Sequence, residues 1–204
     1  AGYKFFSTLD EIKEDADFND AFMSATYSSR YMERELEYGN AILSRLPFAS
    51  TRTIFTRGEY IRNFDVKKDD GNIRNLQIAT IEINGKSLHI LNHHGHRIAG
   101  TKAGDDETMR QMRLIASEVR EMEGPVIMCG DFNLAPDSES LGLINKELTN
   151  LSIENNLQRT YSQLSEVYNV SDYIFVNGPV KVRSFKMSDE LVSDHKALIM
   201  EFDL

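Results

Sequence analysis

Gly124-Pro-Val-Ile-Met-Cys-Gly-Asp-Phe-Asn133 is the stretch that decides the architecture. Gly124-Pro125 ends the helix before it, because proline cannot continue a helix and glycine accepts the turn. Val126 to Cys129 is apolar at every position, the pattern of a strand covered on both faces, so layers must lie above and below it. At its end Asp131 and Asn133 alternate with Phe132. Alternation sends the two polar side chains to one side of a sheet rim and the ring into the core. The pair reads either as a set of polar groups for chemistry or as a turn, since Gly, Asp and Asn are turn formers.

The surrounding text builds a mixed α/β domain. Met109, Met112, Ile115, Ala116, Val119 and Met122 recur at spacings of three and four, which predicts a helix over 106–122 with one apolar stripe. Before it, Leu76–Ile83 and Leu88–Leu91 flank Asn84-Gly85, a pair that tolerates positive φ at both positions as a tight type I′ hairpin demands. Ala41–Leu43 and Thr53–Phe55 read as short strands, broken by Leu46-Pro47. After Asn133 come a short helix over 138–148 and strands over 173–176, 182–187 and 197–202. Nine acids oppose four bases in the first forty residues, and residues 1–37 are expected to form an acidic surface segment of loop and helix. Strands outnumber helices and mix hairpins with crossovers, which points to one α/β domain over 1–204 with a mixed sheet or two packed sheets.

Composition narrows the function classes. The 204 residues include 23 Lys and Arg against 32 Asp and Glu, a net charge of −9, so an anionic substrate must meet a local basic patch or a metal rather than a generally basic surface. A single cysteine, Cys129, excludes an intramolecular disulfide framework and reads as core. No apolar run approaches the ~20 residues of a membrane span, and the first residues carry no basic, apolar leader.

Three further clusters carry candidate chemistry. His89, His93, His94 and His96 crowd one strand end, where neighbours His93 and His94 point to opposite faces. One of them is a catalytic imidazole at a rim, or the run is a polar loop. A zinc site is disfavoured because the spacing is His-His-Gly-His rather than His-x-His-x-Asp-His. Ser193-Asp194-His195 precedes the last strand and sets a carboxylate beside a general acid or base. Asp172, at the start of an apolar strand, either caps that strand or orients an imidazole and fixes its tautomer.

Chain order joins these pieces. Tyr38-Gly-Asn-Ala-Ile-Leu-Ser-Arg-Leu-Pro47, Leu91-Asn-His-His94, Gly130-Asp-Phe-Asn133, Ser171-Asp-Tyr-Ile174 and Ser193-Asp-His195 follow in an order that closely resembles the endonuclease/exonuclease/phosphatase family of divalent-metal phosphoesterases. Any one motif is weak, but five in this order are specific, and they span roughly Tyr38 to Leu204. The resemblance implies a four-layer α/β sandwich, two mixed sheets face to face with helices outside. It implies hydrolysis of a phosphoester substrate with Mg²⁺ or Mn²⁺. Asp131 resembles the aspartate that activates water or holds metal, Asp194 a metal-coordinating carboxylate, and His195 the catalytic histidine oriented by Asp172. Asn133, Asn40 and His94 resemble substrate-binding positions, His94 doubling as a second acid/base histidine. His93 and Gly95 stand where the family usually has Thr and Leu.

One departure bears on the metal. The family opens with a strand, a helix and a strand ending in Leu-Gln-Glu, whose glutamate is a principal ligand, yet no Gln-Glu dipeptide occurs in this sequence. The sequence therefore predicts that an N-terminal strand-helix-strand is missing, that the 204 residues alone bind metal weakly and are nearly inactive, and that the edge near 197–202 is left open for self-association. Glu35 or Glu37 is the only substitute at hand. The rival reading is a non-catalytic binding or scaffold relative. The substrate stays open between nucleic acid, a lipid headgroup and a small molecule, with Arg52, Arg57, Arg62, Lys67, Lys68, Arg97 and Lys102 as candidate phosphate-facing cations.

Overall fold

The computed structural model describes residues 8–31, 34–167 and 169–204. In chain order the elements are α1 (Thr8–Asp15), β1 (Asp20–Tyr31), β2 (Arg34–Ser44), β3 (Ser50–Arg57), β4 (Arg74–Ile83), β5 (Lys86–His93) and α2 (Asp106–Arg120). Then follow β6 (Val126–Asp131), α3 (Glu139–Asn145), β7 (Thr149–Asn150), α4 (Leu151–Glu154), β8 (Asp172–Val176), β9 (Lys181–Met187) and β10 (Leu198–Asp203). A six-stranded sheet of order β3-β4-β5-β6-β8-β7 forms the centre; β5 and β6 run parallel and the other neighbours antiparallel. The apolar strand of the opening motif, β6, is an inner strand of this sheet, as its uniform hydrophobicity requires.

Alternation along β6 and β8 assigns the two faces. Val126, Met128, Tyr173 and Phe175 pack with Met112, Ile115 and Val119 of α2 and Leu141 and Ile144 of α3. Ile127, Ile174 and Val176 point the other way, against Phe185 of β9 and Leu198, Met200 and Phe202 of β10. The helix stripe lies where its spacing puts it, and Asp105 caps α2 by accepting from the Thr108 N–H while the Thr108 hydroxyl accepts from the Asp105 N–H. The Asn84-Gly85 turn has φ of 52° and 76°, the two positive values the hairpin needs.

The face opposite α2 and α3 carries two antiparallel ribbons, β1-β2 and β9-β10, which take the place of a continuous second sheet. Asn75 Nδ2 donates to Ser24 Oγ at 2.8 Å and Gln77 Nε2 to the Phe22 carbonyl at 3.0 Å, fastening the first ribbon to β4. Met23, Ala41 and Leu43 line a groove with Leu9 and Ile12 of α1, so that helix lies outside the ribbon and completes the layered α/β sandwich. The opening segment holds the expected helix, α1, but corrects the sequence reading after it, where a paired β-hairpin runs from Asp20↔Ser44 to Tyr31↔Arg34 instead of loop. Its Ser- and Thr-rich text lacks apolar alternation, and tertiary hydrogen bonds from buried Asn75 and Gln77 stabilise the strand in its place. Residues 1–7 of that segment lie outside the described residues. β10 pairs with β9 and with no other strand among the described residues. No described helix is long and apolar enough to cross a membrane.

Candidate active site

Strand ends converge at one rim of the central sheet. β6 ends at Asp131, and antiparallel pairing sets it directly across from Asp172 at the start of β8. His195 arrives from the segment before β10. An antiparallel bridge to Tyr161 and the Lys196 N–H donating to the Thr160 carbonyl at 2.8 Å hold its backbone. Its Nδ1 donates to Asp172 Oδ2 at 2.9 Å, and the same oxygen accepts from Thr160 Oγ1 at 2.5 Å. Asp172 therefore both begins a strand and orients an imidazole. With the proton fixed on Nδ1, the Nε2 of neutral His195 is left as a base. The Asp172 hydrogen bond holds the His195 pKa above the ordinary imidazole value, against the opposing pull of burial.

The Gly130-Asp-Phe-Asn133 motif forms a turn and at the same time sets its polar groups at the cleft. Phe132 is fully buried, in edge contact with Tyr173 and Phe175. Asn133 turns out of the strand at φ 55° and its N–H donates to Asp131 Oδ1 at 2.8 Å, an Asx turn that leaves Oδ2 facing the cleft side, 3.9 Å from His94 Nε2. Burial, and then the negative charge of Asp172, hold the Asp131 carboxyl above the usual carboxylate range. Two half-buried carboxylates that repel each other, with an imidazole beside them, suit a divalent cation. One donor atom each from Asp131, Asp172 and His195 lies within 4.8 Å of the others. Asp194, expected from sequence as a ligand, is exposed and lines the cleft without joining this group, its Oδ1 accepting from its neighbour Ser193 Oγ at 3.1 Å.

The four histidines separate as strand geometry dictates. His94 faces the cleft; burial and the nearby Arg74 charge hold it below the ordinary imidazole range. His93 faces the core, wholly buried, with Nδ1 donating to the Asn75 carbonyl at 2.9 Å and Nε2 without a partner. His89 contacts Thr80 Oγ1 and the Glu123 carbonyl, and His96 contacts Asn72 Nδ2, all away from the cleft. Burial pushes His93 down to about 4. The folded chain keeps it neutral while the unfolded chain protonates it near 6.5, so stability falls as pH drops through that interval. Urea denaturation at pH 7 and pH 5 should show the wild type losing about 2 kcal/mol more than His93→Gln. Equal losses would refute this.

The cleft encloses about 610 Å³. A model of the endonuclease/exonuclease/phosphatase family matches residues 6–195. The chain belongs to that family. A UPF0294 protein of Vibrio campbellii is 26% identical over 125 residues, 59% of this chain and 42% of that protein, so the match spans less than half of the relative's length. An endonuclease/exonuclease/phosphatase of Bacteroides vulgatus superposes with a TM-score of 0.70 at 16% identity, covering 96% of this chain and 80% of the other. A mannosyl-6-phosphatase of Bacteroides thetaiotaomicron gives 0.69 at 17%, and a TDP2 of D. rerio complexed with a single-strand DNA product gives 0.68 at 17%, each covering 96% of this chain and 81% of its own. At such identities the structures establish the fold alone.

Among the described residues, three cations line the cleft: Arg74, Arg97 and Lys102. Arg97 and Lys102 stood among the sequence candidates, whereas Arg52, Arg57, Arg62 and Lys68 pair with Glu118, Asp70, Glu35 and Asp65 away from the cleft. Arg74 was not foreseen, because it sits at a strand start like many arginines; its Nε donates to the Gly95 carbonyl at 2.6 Å. Thr160 and Tyr161 were also missed, since their only signal is a loop that folds back onto Asp172 and His195. Asn40 sits opposite Ser24 on the first ribbon and does not line the cleft. Glu35 is taken by Arg62 and Ser28, and Glu37 accepts from Tyr60, so neither reaches the site.

Proposed function

We propose that this cleft hydrolyses phosphoester bonds with Mg²⁺ or Mn²⁺. The observation that carries the reading is the Asp172–His195 pair standing beside Asp131 in a cleft lined by cations, in a chain of a family that includes phosphoesterases and nucleases. Asp131 and Asp172 would supply the oxygens that hold the ion, with Asp194 lining the same cleft, while His195 is kept for proton transfer. The ion, when bound, stabilises charge on the nonbridging oxygens.

The chain's own groups divide the remaining work. Asp172 keeps a proton on His195 Nδ1, which leaves Nε2 to take a proton from attacking water or to pass one to the leaving oxygen. Asp131 Oδ2 faces the same space and helps align the water. His94 stays neutral at the rim and offers a second nitrogen to a phosphate oxygen or leaving group. Arg74, Arg97 and Lys102 favour an anionic substrate in an otherwise acidic protein.

Bis(4-nitrophenyl) phosphate and 4-nitrophenyl phosphate, each with Mg²⁺ or Mn²⁺, test this directly. The expected result is turnover of at least one of them that EDTA abolishes and added ion restores. No turnover of either ester, or turnover indifferent to EDTA, overturns the proposal.

A further inference from the structure

We infer that Lys102 is a phosphate-contacting residue of this cleft and that Asn133 positions its ammonium. The inference deepens the proposed phosphoesterase reading and rests on it for the identity of the ligand.

The family resemblance makes Asn133 a substrate-binding position, and in this structure its carboxamide is hydrogen-bonded at both ends. Nδ2 donates to the Gly95 carbonyl at 3.2 Å and Oδ1 accepts from Lys102 Nζ at 2.5 Å. Exchanging the amide's O and N would set an NH₂ against an ammonium and an oxygen against a carbonyl, so hydrogen-bond chemistry permits only this orientation. Asn133 lines the cleft yet is only 3% exposed, so most of its surface is packed against these partners.

Lys102 stands in the opposite situation. The Ala135 N–H donates to its carbonyl at 2.8 Å, which ties its backbone to the segment after Asn133. The Asn133 oxygen and the face of Tyr161, 5.6 Å from Nζ to the ring centroid, seat its ammonium. An ammonium has three donors, and Asn133 takes one. Lys102 forms no ion pair among the described residues, although Asp131 and Asp194 line the same cleft. A seated cation with free donors, in the same cleft as Asp131 and His195, is what an anionic phosphoryl oxygen requires.

Inorganic phosphate is the probe, titrated calorimetrically into the wild type, Lys102→Met, Lys102→Arg, Asn133→Leu and the Lys102→Met/Asn133→Leu double variant. Lys102→Met should weaken phosphate binding by about 10-fold or more, while Lys102→Arg stays within about 3-fold of wild type. Asn133→Leu should weaken binding when Lys102 is present and add little once Lys102 is gone, a coupling that an independent Asn133 contact would not give. Wild-type affinity in Lys102→Met, absence of phosphate binding by the wild type, or full additivity of the two changes overturns the inference. Should Asn133→Leu fail to fold, the two Lys102 variants still decide the matter. The two readings fail separately. Phosphate binding that depends on Lys102 without any ester turnover sinks the catalytic proposal alone, and turnover lost in His195→Ala with phosphate affinity unmoved by Lys102→Met sinks this one alone.

Discussion

Replacing His195 with alanine is expected to lower phosphodiester turnover by ~10²–10⁴-fold, the usual contribution of a positioned acid or base. The folded state should barely notice. The imidazole is part-buried, and the bond lost with it, to Asp172 at 2.9 Å, leaves behind a carboxylate that still accepts from Thr160 at 2.5 Å. Asp172→Asn should cost a similar factor, because an amide at that place no longer obliges the proton to sit on Nδ1. The two changes act on one unit, so the double variant should be little worse than either alone. Asp131→Asn retains the oxygen that accepts from the Asn133 N–H at 2.8 Å, and it removes one of two facing carboxylates. Turnover should therefore fall as steeply, with the thermal transition level or raised. Initial rates at saturating Mg²⁺ or Mn²⁺ alongside thermal melts provide the check. Activity surviving in both His195→Ala and Asp131→Asn would mean that the chemistry occurs elsewhere.

How much of this was legible depends on where the determinant lies. Motifs that end strands were readable because periodicity fixes both the strand and the direction of its last side chains. Asp131, Phe132 and the split between His93 and His94 all follow from alternation alone. The meeting of Asp172 with His195 was readable only through chain order, since 23 residues separate them and no local rule joins them. The first ribbon was readable only at Ala41–Leu43 of β2. β1 is held by buried Asn75 and Gln77 reaching across from β4, so its Ser- and Thr-rich text carries no apolar alternation. Arg74 and Lys102 illustrate a further limit, because a cation's value depends on whether a carboxylate neutralises it. That pairing separates Lys102 from Arg52, Arg57, Arg62 and Lys68 only in three dimensions.

Gly130→Ala is expected to be the most destabilising small substitution at the site, on the order of 4 kcal/mol or more. Gly130 adopts φ 142°, a region that L side chains rarely enter, and a Cβ built there would lie 1.9 Å from the His93 carbonyl oxygen. The obstacle is the backbone of the neighbouring strand, so no side-chain rotation relieves it. β5 must move away from β6 at the end where their parallel pairing delivers His94 and Asp131 to one rim. Glycine at this place in the opening motif is thus the condition for bringing two strand ends close enough to share a site. Turnover should accordingly fall even in the fraction that remains folded. Gly142→Ala supplies the contrast, since a Cβ in α3 meets nothing within 4 Å and alanine favours the helix by about 0.5–1 kcal/mol. Urea denaturation of the two variants should move the midpoint in opposite directions. A Gly130→Ala chain with the wild-type midpoint and wild-type turnover would show that the close approach of β5 and β6 does not govern this site.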